Sequence, residues 1–194
     1  MIGFTLVFIA VVGMSLYTEP VRDVPRAKRY LVEFPKSTMT GASGQGDTPD
    51  GSSGTATVSL NQTNITSVVF MFSFTDNYRL SSISPAGASV KITSPDGAEQ
   101  TANLPASGPT SAALTFKEVC PLPQEATITA MTLNEAQKKA QSKFPTTENG
   151  TGDWTVEVTA ARTYKSPVHS SGSISWTVSS RVESYHAEVS EYLR

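Results

Sequence analysis

The sequence is short of nearly everything from which a catalytic centre is built. It has two histidines, His169 and His186, far apart in the chain. No His-Glu-x-x-His, His-x-His or Cys/His cluster occurs, so no zinc or copper centre made by this chain alone is expected. The single cysteine, Cys120, sits in "VCPLP". One cysteine excludes an intrachain disulfide framework. No cationic or histidine neighbour in sequence activates its thiol, so the expected role is a small buried hydrophobe. There is no Gly-x-Ser-x-Gly elbow for a serine nucleophile. "GASGQG" at 41–46 lacks the third glycine of a dinucleotide loop. "DTPDG" at 47–51 offers the oxygen ligands that calcium takes, without the alternating Asp spacing of a 12-residue loop. "LPASG" at 104–108 lies mid-chain with no apolar tail behind it, unlike a sortase signal. No catalytic residue, metal site or cofactor is expected, and the chain does not read as an enzyme.

Charge is scarce too, at 16% of residues against 38% hydrophobic. Fifteen Lys and Arg face seventeen Asp and Glu, for a net charge of −2. No basic face is implied, which argues against nucleic acid as a partner. Ser, Thr and Gly fill the deficit, as suits a β-rich surface outside a cell. The length of 194 residues accommodates one ordinary domain and an appendage.

The longest uncharged stretch opens the chain. Met1 to Thr18 carries no charge, and six charged residues then fall between Glu19 and Arg29. As a helix, eighteen residues would cover roughly 27 Å at 1.5 Å per residue, close to the ~30 Å hydrocarbon core. Pro20 would end it. A cleaved export signal is the rival reading, with Gly13 and Ser15 as a small-residue cleavage pair. That signal wants a positive start, and none precedes the apolar run. The expectation is a single transmembrane helix over 1–18 that is retained.

Orientation is contested within the sequence. Arg22, Arg26, Lys28 and Arg29 all follow the apolar run, which places the following domain in the cytoplasm by the positive-inside rule. Three glycosylation acceptors argue the other way: Asn61-Gln-Thr, Asn64-Ile-Thr and Asn149-Gly-Thr. Asn61, Asn64 and Asn149 all fall where turns are expected. The reading taken is a membrane protein with its C-terminal domain extracytoplasmic.

Residues 19–54 read as a charged stalk followed by a Gly/Ser-rich linker. Tyr30–Phe34 is a candidate first strand within it, and "KSTMTGASGQGDTPDGSSG" at 36–54 has five glycines and almost nothing apolar. From residue 55 short alternating runs take over. "TATVSL" sets Ala56, Val58 and Leu60 on one face. "ITSVVFMFSF" sets Phe70, Phe72 and Phe74 on one face with Val69 and Met71 on the other, the pattern of a strand buried on both sides. "YRLSSI", "ASVKIT", "TSAALTF" and "ATITAM" follow, with a type I turn at "SPDG", residues 94–97. "DWTVEVTA" turns Trp154, Val156, Val158 and Ala160 inward. "SISWTVSSRV" turns Ile174, Trp176, Val178 and Val182 inward. One helix is expected at about 132–144, opened by the Thr132-x-x-Glu135 capping box. Its apolar stripe is Leu133, Ala136, Ala140 and Phe144, its basic face holds Lys138, Lys139 and Lys143, and it is expected to cross an end or edge of the domain. The fold class expected for 55–194 is all-β: an antiparallel two-sheet sandwich, immunoglobulin-like or jelly-roll-like, with one inserted helix.

Two resemblances add to this reading. "TLVFIAVVG" is similar in texture to the N-terminal helices of archaeal type IV pilins, archaellins and archaellum accessory proteins. Residues 60–185 resemble the β-sandwich modules of secreted proteins, the proprotein convertase P domain and the pre-peptidase C-terminal domain. There an "SPxG" turn precedes a "G-x-W-x-L/V-x-V" strand, matched here by Ser94, Pro95, Gly97, Gly152, Trp154, Val156 and Val158. That resemblance implies a non-catalytic folding or adhesive module.

The function expected is an accessory or structural subunit of a membrane or cell-envelope complex, acting through protein–protein contacts. Its partners are then membrane lipid and other membrane or envelope proteins, with a homo-oligomer left open. Two alternatives stand beside it: a pilus- or archaellum-like filament component, and a secreted carbohydrate- or ligand-binding module.

Overall fold

The computed structural model describes residues 26–78, 81, 84–162 and 172–192. Their strands are β1 (Lys28–Glu33), β2 (Lys36–Pro49), β3 (Ser53–Leu60), β4 (Ile65–Asp76), β5 (Ala86–Thr93), β6 (Glu99–Leu104), β7 (Ser111–Lys117), β8 (Ala126–Ala130), β9 (Gly152–Arg162), β10 (Ser173–Tyr185) and β11 (Glu188–Glu191). Among the described residues one helix, α1 (Leu133–Lys143), lies between β8 and β9. The strands form three sheets: β2-β10-β4-β7, β3-β9-β5-β6 and the smaller β11-β1-β8. Every pairing among them is antiparallel. The two four-stranded sheets enclose the main core. The expected two-sheet layout is therefore extended by a third sheet.

Alternation places the core as the sequence patterning predicts. Val68, Phe70, Phe72 and Phe74 of β4 meet Trp154, Val156, Val158 and Ala160 of β9, with Ile174, Trp176, Val178 and Val182 of β10 beside them, all buried. Trp154 is 0% exposed, with ring centroids 5.1 Å from Phe70 and 4.8 Å from Phe116. β4 is central in its sheet, but only one of its faces is covered. Met71 is 51% exposed, so the two-sided burial expected of this strand is not found. Hydrophobic residues on an open face need no burial partner, since much of any protein surface is apolar.

The largest departure from expectation is β2. Residues 36–49, expected as linker, form a fourteen-residue edge strand paired along β10. Its inward row after the bulge is Gly44, Gly46 and Thr48, which is why it shows no apolar period. The row must be small because β10 presents large groups to it. A Cβ on Gly46 would stand 2.7 Å from the Trp176 ring, and the buried Thr48 Oγ1 accepts the Trp176 indole N–H at 2.9 Å. Ser43 pairs with Ser179 and Thr40 with Arg181, so Gly41 and Ala42 oppose Ser180 alone. This is a β-bulge, closed by Ser180 Oγ donating to the Ala42 carbonyl at 2.7 Å.

"SPDG" forms the β5–β6 hairpin turn. Gly97 N–H donates to the Ser94 carbonyl at 3.0 Å, with Gly97 at φ +88°. "YRLSSI" contributes no strand at Tyr78 or Ser81, and its other residues, 79, 80, 82 and 83, lie outside the described residues. α1 starts as its sequence predicts. Thr132 Oγ1 accepts the Glu135 N–H at 3.2 Å, while the Glu135 carboxylate accepts the N–H of Met131 at 2.9 Å, one residue earlier than a strict capping box. The helix packs on the third sheet rather than on the two-layer core. Ala136 and Ala140 are buried there with Tyr30, Val32, Ile128 and Ala130, whereas Leu133, at the first helical position, is 45% exposed.

Candidate functional site

A cluster of bonded polar side chains lies at each end of the sandwich. At one end, strand β9 finishes at Arg162, whose side chain is 2% exposed. Its Nε donates to Asp50 at 2.6 Å and its Nη2 to Asp76 at 2.7 Å, and a further bond reaches the Ser84 carbonyl. The guanidinium lies 4.4 Å from the Tyr78 ring centre. Asp76 also accepts the backbone N–H groups of Tyr78 and Ala86 at 3.0 and 2.9 Å. Burial pushes the Asp76 carboxyl up, but the bonds from Arg162, Tyr78 and Ala86 outweigh it and hold the carboxyl below its usual range. The Arg162 guanidinium is held more basic still, chiefly by its bond to Asp76. An arginine between two carboxylates neutralises the charge that a cation would otherwise need. The arrangement ties the turn after β2, the start of β5 and the end of β9 to one point.

The two aspartates of "DTPDG" point apart. Asp50 turns inward to Arg162, whereas Asp47 faces outward and accepts from Ser175. Among the described residues, no three His, Cys, Asp or Glu side chains converge as a metal site. His186 is exposed, and His169 lies outside the described residues.

The other end of the sandwich collects all three sequons. Thr147 N–H donates to Asn64 Oδ1 at 2.8 Å, and Thr151 Oγ1 donates to the Gln62 carbonyl at 2.5 Å, so the 61–66 and 147–151 turns adjoin. Asn61 and Asn149 are exposed, but Asn64 is half-buried at φ +54° and its Nδ2 donates to the Tyr185 carbonyl at 3.3 Å. The nitrogen that would carry a glycan at Asn64 is thus already engaged, while those of Asn61 and Asn149 stand on the surface. Cys120 is buried beside them, its sulfur accepting from Thr147 Oγ1 at 3.1 Å and lying 3.8 Å from the Tyr185 hydroxyl. Burial, then the contact with Cys120, pushes the Tyr185 hydroxyl up to about 12.

The outer face of the β2-β10-β4-β7 sheet bears a shallow groove of about 420 Å³, lined by Asp47, Ser73, Thr75, Ser175 and Thr177. Its hydroxyls bond one another, Ser73 to Thr177 at 3.0 Å, and Asn77 donates to Ser175 at 2.5 Å. Phe74 and Trp176 at its rim are turned into the core. None of these clusters was legible in the sequence. Arg162, Asp50 and Asp76 are separated by 86 and 112 positions, and the only local signal was an arginine closing an alternating strand.

No family model and no curated protein matches the chain, so the resemblances to P domains and to pilin-like helices gain no support from either source. Among solved structures, the chain is similar to a serine protease of Aeromonas sobria in complex with its chaperone, at 14% identity and TM-score 0.35 over 90% of this chain. It is also similar to infectious bursal disease virus, Gx strain, at 16% identity and TM-score 0.30 over 79% of this chain. A third likeness is Desmodium yellow mottle tymovirus, at 13% identity and TM-score 0.25, covering 90% of this chain and 93% of that one. The chain spans only 29% of the Aeromonas structure and 32% of the Gx-strain structure.

Proposed function

We propose that this is a single-pass, membrane-anchored and non-catalytic protein. Its extracytoplasmic β-sandwich acts as an accessory or structural subunit of a membrane or cell-envelope complex, through contacts with other proteins. Of the two sandwich types expected, the jelly roll fits the strand order. β2, β4, β7 and β10 share one sheet and β3, β5, β6 and β9 the other, so every successive pair of these strands except the β5–β6 hairpin crosses between layers, as in two Greek keys. The fold alone assigns no activity.

The observation that carries the reading is how the polar chemistry is spent. The Arg162–Asp50–Asp76 group and the Cys120–Tyr185–Thr147 group bond within themselves and hold loops in place, with Asp50 Oδ1 alone of the carboxylate oxygens buried without a partner. The uncharged run at 1–18 lies outside the described residues, and it supports the anchor by composition alone. Among the described residues no helix is long and apolar enough to cross a membrane. Exposed Asn61 and Asn149 suit glycan attachment and an extracytoplasmic domain. The test is purification of the tagged full chain from detergent-extracted membranes of its own source. A defined particle with fixed partner proteins is expected. A fibre, or the chain alone in the wash, overturns the reading.

A further inference from the structure

Three exposed apolar side chains gather at one end of the β11-β1-β8 sheet. Met131 follows the last residue of β8 and is 45% exposed, Leu133 opens α1 at 45%, and Tyr192 follows β11 at 38%. Register brings them together. Ala130 pairs with Lys28 across β1–β8, and Tyr192 N–H donates to the Arg29 carbonyl at 2.9 Å. The Arg29 guanidinium lies 5.2 Å from the Tyr192 ring centre. The acidic groups there are occupied: Glu191 pairs with Lys28 at 2.9 Å, and Glu135 with Lys139 at 2.7 Å. Arg26 and Arg29 have no carboxylate partner among the described residues.

The described chain begins at Arg26, at this same end. Seven residues, 19–25, separate Thr18, the end of the uncharged run, from Arg26, so eight Cα–Cα steps join them. At most about 3.6 Å per extended residue, they reach no further than about 29 Å. Resting on the anchor reading above, we propose that this end of the third sheet sits on the bilayer. Met131, Leu133 and Tyr192 enter the interfacial layer, where aromatic and apolar side chains beside cations are favoured. Arg26 and Arg29 meet anionic lipid headgroups. The basic cluster that argued for a cytoplasmic domain is then a headgroup contact on the outer side.

The test uses the full chain in bilayers containing phosphatidylglycerol, with lipid brominated near the glycerol end of its acyl chains as quencher. Trp154 and Trp176 are buried and serve as unquenched internal references. Leu133→Trp adds a third indole at an exposed site. Its emission should fall in brominated lipid by up to about one third of the total, one indole of three. Thr57→Trp, on the exposed outer face of β3, should not be quenched. Removing phosphatidylglycerol, or Arg26→Glu with Arg29→Glu, should reduce the Leu133→Trp loss. Equal emission of Leu133→Trp in brominated and plain lipid, with the chain still resistant to alkaline carbonate, overturns the contact and leaves the anchor standing. Release of the chain by carbonate overturns both.

Discussion

Replacing Trp154 by alanine removes the side chain that joins the two large sheets. Trp154 is fully buried, packs edge-on to Phe116 at 4.8 Å and against Phe70 at 5.1 Å, and donates its indole N–H to the Gly150 carbonyl at 2.9 Å. Large-to-small changes of this kind cost about 3–5 kcal/mol, because the cavity left behind collapses only in part. The orphaned Gly150 carbonyl adds to that, since a buried acceptor left unmade costs more than its bond contributes. For a domain of this size each kcal/mol moves the melting temperature by roughly 2–4 °C, so a fall of roughly 6–20 °C is expected. Trp154→Phe keeps a ring against Phe70 and Phe116 and should lose clearly less. The assay is a thermal melt of wild type and both variants, followed by near-ultraviolet circular dichroism. An unchanged melt for Trp154→Ala would refute the packing argument and make Trp154 a recognition residue.

Other outcomes follow from the same contacts. Arg162→Ala leaves Asp50 and Asp76 buried without their cation, so a loss of about 3–5 kcal/mol is expected in a denaturant titration, while an effect under about 1 kcal/mol, as for exposed pairs, would contradict it. Asp76 is held below its ordinary value of 3.8, so its stabilising part is full above that pH and is lost as pH falls through the lower native value; wild type should lose stability below pH 3.8 more steeply than Asp76→Asn. Tyr185 is shifted from 10.0 up to about 12, so its share of stability is full below pH 10.0 and is lost as pH rises towards 12, with phenolate absorbance of the native protein lagging accordingly. Gly46→Val drives branched carbons into the Trp176 ring and should lower the melting temperature, whereas Gln45→Val, on the exposed face of the same strand, should not.

What could be read from the sequence was what alternation and capping encode. The inward rows of β4, β9 and β10 and the start of α1 are set by nearest neighbours in the chain, so a local pattern suffices. β2 is different. Its inward positions are glycines because Trp176 fills the space from the opposite strand, and a strand defined by its neighbour's bulk carries no period of its own. Leu133 fits the apolar stripe on a helical wheel, but the helix rests on a narrow sheet that covers Ala136, Ala140 and part of Phe144 and does not reach Leu133. The Arg162 group joins turns far apart in sequence, and nothing local marks Asp50 or Asp76 as its partners. Asn64 reads as a surface acceptor because "NIT" says nothing of the Tyr185 carbonyl that its amide meets.

The anchored, extracytoplasmic placement is tested most directly by the intact mass of the carbonate-resistant protein taken from its own membranes. The account predicts that residues 1–18 are retained, without a new N-terminus near residue 16, and glycan on Asn61 or Asn149 but not on Asn64. A chain that begins near residue 16, or that is recovered in the carbonate supernatant, would contradict it.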